Sequence, residues 1–128
     1  MTTADLKGDR QLRCQRQLLR LRMLVLSQDG MAPARQAAEI RDATNAVIAE
    51  VEATSRAVLE AGGHAPGAET FLWARVTRLA VAADQAVNAA RRGDLAALHA
   101  HLRHFDALTS AMWTVQHAVY GQEPTTRR

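Results

Sequence analysis

Three short breaks cut the chain into four long segments, each with apolar residues at helical spacing, and this punctuation constrains the fold more than any other feature. Asp29-Gly30 followed by Pro33 makes the first break, Ala61-Gly62-Gly63-His64-Ala65-Pro66-Gly67 the second, and Gly93-Asp94 the third. Glycine closes a helix cheaply in the left-handed conformation, and proline is tolerated in a first turn. The segments are therefore predicted to be helices over 5–27, 33–61, 68–92 and 94–120. They form one helical domain over 1–121, with residues 122–128 as a loose tail. Composition points the same way. Of 128 residues 26 are alanine, and only Phe71, Trp73, Phe105, Trp113 and Tyr120 are aromatic, which favours helix over strand. The joint at Gly93-Asp94 is too short for anything but an antiparallel hairpin, with Asp94 able to cap the fourth helix. The expected architecture is an all-α, antiparallel four-helix bundle-like assembly of long helices.

Each segment has its own pattern. At about 100° per residue, Leu12, Leu18, Leu19, Leu21, Met23, Val25 and Leu26 project onto one broad arc, with Arg10, Arg13, Arg16 and Arg20 opposite. In the second segment Ala37, Ile40, Thr44, Val47, Val51, Thr54, Val58 and Ala61 form a narrow seam at 3–4 spacing, close to a coiled-coil pattern. Its two threonines weaken it. The third segment carries Leu72, Val76, Leu79, Ala83, Ala86 and Ala90 on one stripe, flanked by Trp73, Ala80 and Val87. Its small residues admit a close neighbour. The fourth carries Leu95, Leu98, Leu102, Phe105, Leu108, Met112 and Val119 on one arc. The wide arc of helix one and the seam of helix two exceed what one small bundle needs, so a homodimer through these two helices is expected.

The formal charge is only +3, but it is unevenly spread. Six cations against three carboxylates fall in residues 1–30, whereas residues 31–62 are net acidic. A basic helix face suits an acidic protein, a phosphate backbone or an anionic membrane surface. The candidate partner-binding residues are thus Arg10, Arg13, Arg16 and Arg20. Glu50, Glu52 and Glu60 on helix two are the intramolecular alternative. No aromatic residue interleaves with the arginines, which disfavours stacking on single-stranded nucleic acid.

Signals for chemistry are sparse. His101 and His104 are three apart and can share a helix face, which with Trp113 defines a possible ligand pocket. No Glu-x-x-His pair or cysteine cluster supports a metal, and none is expected. There is no glycine-rich phosphate loop, Gly-x-Ser-x-Gly elbow or His-Glu-x-x-His motif, so neither catalytic residues nor a cofactor are expected. Cys14, the one cysteine, fits a reducing cytoplasm, and the apolar runs are too short for a membrane span. The sequence reads as a small non-enzymatic helical interaction or regulatory protein of the cytoplasm, acting through contacts with protein partners and self-associating. The alternatives are a nucleic-acid-binding protein using the arginine face of helix one, and a ligand- or metal-binding bundle.

Overall fold

In the computed structural model, which describes residues 12, 13, 15–21, 23, 32–62 and 66–120, the four spacings become four helices. Helix α1 comprises the described residues between 12 and 23. It is followed by α2 (Pro33–Ala61), α3 (Ala68–Arg91) and α4 (Leu95–Tyr120). No strand occurs among the described residues, and the helices pack on one another as an all-α bundle. The outer parts of the segment expected over 5–27, and the tail over 122–128, lie outside the described residues.

Local chemistry accounts for the ends. Ala32 is extended (ψ 141°) with Pro33 in the first turn of α2, and Gly62 at φ 77° closes it. Helix α3 stops at Arg91 and α4 starts at Leu95, each one residue inside the expected bound, because Arg92 and Asp94 are caps. At this joint Gly93 takes φ 68°. Its N–H donates to Ala90 O at 3.0 Å, and the Asp94 N–H donates to Ala89 O at 3.0 Å. This is the Schellman arrangement. The Asp94 carboxylate then accepts from the Ala97 N–H at 3.1 Å, capping α4 as anticipated.

Long-range polar contacts fix the directions. Arg13 meets Glu50 while Arg20 meets Asp42, so α1 runs antiparallel to α2. Arg41 bonds Asp84 at 2.7 Å while Arg56 lies over the Trp73 ring, so α2 runs antiparallel to α3. The Gly93 joint makes α3 and α4 antiparallel in turn.

The core joins Ile40, Val47 and Val51 of α2, Leu72 and Leu79 of α3, and Leu98, Phe105 and Met112 of α4. Buried Ala82, Ala83, Ala86, Ala89 and Ala90 let α3 sit close to both neighbours. The α2 seam is buried from Ala37 through Val58, and Ala61 alone is exposed. Its threonines do not weaken it. Thr44 donates its hydroxyl to Ile40 O and Thr54 to Glu50 O, both at 2.9 Å, which leaves their methyls for packing. Because α2 packs against both α3 and α4, its seam is consumed within the chain. The expectation that this seam faces a second copy is therefore corrected.

The arc of α1, expected to exceed what one small bundle needs, is covered on one side only. Leu18 and Leu21 are buried, Leu21 at 3% exposure, but Leu12, Leu19 and Met23 are exposed at 54%, 56% and 56%. The bundle covers only one side of this helix. Leu95 of α4 is likewise exposed, since it sits in the first turn beyond the reach of the core.

Candidate functional site

Helix α1 presents two chemically different strips. Its arginines turn partly toward the acidic side of α2. Arg13 Nε donates to Glu50 Oε2 at 2.8 Å and its Nη2 to Oε1 at 3.3 Å, a two-pronged pairing of fork with carboxylate. Arg20 Nη1 donates to Asp42 Oδ2 at 3.1 Å and to Gln17 Oε1 at 3.4 Å, and its Nη2 lies 4.0 Å from Glu39 Oε1. Two of the four candidate arginines are thus matched by carboxylates of the same chain. The carboxylates involved are Glu50, Asp42 and Glu39, whereas Glu52 and Glu60 form no ion pair with α1 among the described residues. Arg16 is exposed and makes no ion pair among the described residues. Arg10 lies outside them.

The second strip is apolar. Leu12, Leu19 and Met23 are seven and four residues apart, which at about 100° per residue puts them within some 40° of one another. Arg16, expected on the opposite arc, instead borders this line, about 20° from Met23. Leu18 and Leu21 project at least about 120° away from Leu12, toward the core. The strip is therefore an outward seam of large apolar side chains with one cation in its middle, on a helix already anchored by its other side.

The histidine and tryptophan positions do not converge. Trp113 lies nine residues beyond His104, two and a half turns of helix, so the two side chains leave α4 in opposite directions. Trp113 is buried in the core, His104 is exposed, and His101 is half-buried. A groove between α3 and α4 takes His104 together with Arg78, Val81, Ala82, Gln85 and Leu108, but neither His101 nor Trp113. The pocket expected from His101, His104 and Trp113 is accordingly corrected to a groove that keeps only His104. No group of three metal-ligating side chains forms among the described residues.

One buried polar site was not anticipated. Gln116 of α4 is fully buried, and its Nε2 donates to Val51 O at 3.1 Å and to Ser55 Oγ at 2.7 Å. Among the described residues its Oε1 has no partner, and neither does the Trp113 Nε1 one turn earlier. The readable signal was its place one turn past Met112 on the Phe105 line of the apolar arc.

Comparisons with protein families, with curated proteins and with solved structures find no match for this chain. Among the described residues, no helix is long and apolar enough to cross a membrane.

Proposed function

We propose that the chain is a small non-enzymatic interaction protein of the cytoplasm that self-associates through the outward strip of α1. The observation that carries this reading is the exposure of Leu12, Leu19 and Met23 along one line, while the rest of the large apolar side chains of α2 and α3 go mostly into the core. Covering such side chains is favourable in proportion to the apolar area removed from water. The strip is also complementary to itself. When two copies of α1 lie antiparallel, Leu12 falls opposite Met23 of the second copy, and Arg16 falls opposite Leu19. The Arg16 stem can then lie on apolar surface while its guanidinium reaches water, and the two Arg16 charges stay apart. A patch of this size corresponds to weak, reversible association, because obligate dimers bury far more.

Nucleic-acid binding through the same helix has less support, since Arg13 and Arg20 are already paired with α2. Sedimentation velocity over a concentration series tests the proposal. Wild type should shift from monomer toward dimer at high micromolar concentration. Leu19→Glu should remain monomeric with an unchanged melting temperature, because the position is exposed. A wild type that stays monomeric, or a Leu19→Glu variant that associates equally well, overturns the reading.

A further inference from the structure

The groove between α3 and α4 is a second surface that the bundle leaves unfinished. It has a volume of ≈ 440 Å³, within the range of small-molecule sites. Ala82 forms its floor, and the hairpin register sets His104 opposite, since the two are equally far from Gly93 in sequence. Val81 and Leu108 supply apolar walls, and Val81 remains 51% exposed although it is a large aliphatic residue. Arg78 lies one turn before Ala82, and Gln85 one turn after Val81. The lining contains a guanidinium, an imidazole and an amide but no carboxylate. Arg78 makes no ion pair among the described residues, in contrast to Arg41, which is matched by Asp84 on the other side of α3.

We propose that this groove binds a small amphipathic monocarboxylate. Its carboxylate sits on Arg78 with the His104 imidazole as a second donor, and its hydrocarbon chain lies along Val81, Ala82 and Leu108. The assignment follows from charge complementarity. The planar fork of arginine matches a carboxylate in two-pronged fashion, and the groove offers no anion of its own to compete. An apolar chain would cover the part of Val81 that the bundle leaves exposed. The site is independent of the α1 strip, so neither proposal stands or falls with the other.

Titration of the full chain with octanoate, followed by calorimetry and by backbone amide shifts, tests it, with 1-octanol as the uncharged probe. Octanoate should bind saturably and shift amides of residues 78–85 and 104–108. Arg78→Gln, at an exposed position, should keep the melting temperature and weaken octanoate by roughly tenfold or more, the loss expected for one charge-assisted partner. Val81→Asp, which places an anion in the groove, should abolish binding without unfolding the bundle. Equal binding of 1-octanol, undiminished binding by Arg78→Gln, or shifts confined to α1 would each overturn the proposal.

Discussion

Gln116 shows how much a single buried side chain decides. The Val51 carbonyl can only accept, so the amide nitrogen must face it, and the Oε1 is turned away with no donor to meet it among the described residues. Burying an acceptor in this way is unfavourable, while the two bonds from Nε2 each return only about 1 kcal/mol net. Replacing the residue by an apolar one of similar shape removes the orphan, and the Ser55 hydroxyl is then placed to turn back onto Val51 O within its own helix. Gln116→Met is therefore expected to unfold in urea within about 1 kcal/mol of wild type, or above it. Gln116→Ala should lose about 2–4 kcal/mol, because it opens a void as well as removing the bonds. Equal losses for the two variants would show that the polar bonds, not the volume, hold α4 to α2. The same reasoning covers Thr44 and Thr54. Read in sequence, a hydroxyl on an apolar seam is a weakness, because its partner, the carbonyl four residues back, exists only once the helix does.

At the scale of elements, the joint between α3 and α4 combines two separable devices. Gly93 at φ 68° has nothing within 4 Å of where a Cβ would stand, so substitution there meets backbone strain and no clash. Gly93→Ala should cost about 1 kcal/mol for the left-handed conformation. Asp94→Ala should cost about 1 kcal/mol for the lost bond to the Ala97 N–H, and Asp94→Ser should recover most of it. Thermal unfolding of the three variants checks both values. These ends were legible because helix stops depend on local chemistry: glycine, proline and aspartate act through their own backbone and nearest neighbours. The faces of α1 were not legible in the same way. A helical wheel groups Leu12, Leu18, Leu19, Leu21 and Met23 into one broad arc, but which part is buried depends on where α2 and its neighbours lie. Only tertiary packing separates Leu18 and Leu21 from the other three. The pocket built on His101, His104 and Trp113 failed for a related reason, since proximity in sequence along α4 does not put side chains on one side of it.

For the whole molecule, the question is what its uneven charge does. The basic first segment lies along an acidic second one, and Arg13–Glu50 and Arg20–Asp42 close that gap from within. Both pairs are partly open to solvent, so water screens them, and each contributes roughly 0.2–1 kcal/mol. Replacing Arg13 and Arg20 by Gln should thus lower the melting temperature by only a few degrees, while removing most of the electrostatic anchoring of α1. Phosphate binding gives a sharper readout. Four uncommitted arginines would produce a slope of log affinity against log salt near roughly −3.6, whereas one such contact, as from Arg16, gives about −0.9. We expect wild type to bind duplex DNA weakly, with the shallow slope. Combining Glu50→Gln, Asp42→Asn and Glu39→Gln removes the carboxylate charges that face Arg13 and Arg20 without altering α1, so that variant should bind more tightly and with a steeper slope. If wild type already shows the steep slope, the arginines leave α2 on binding, and the basic face of α1 serves an anionic partner after all.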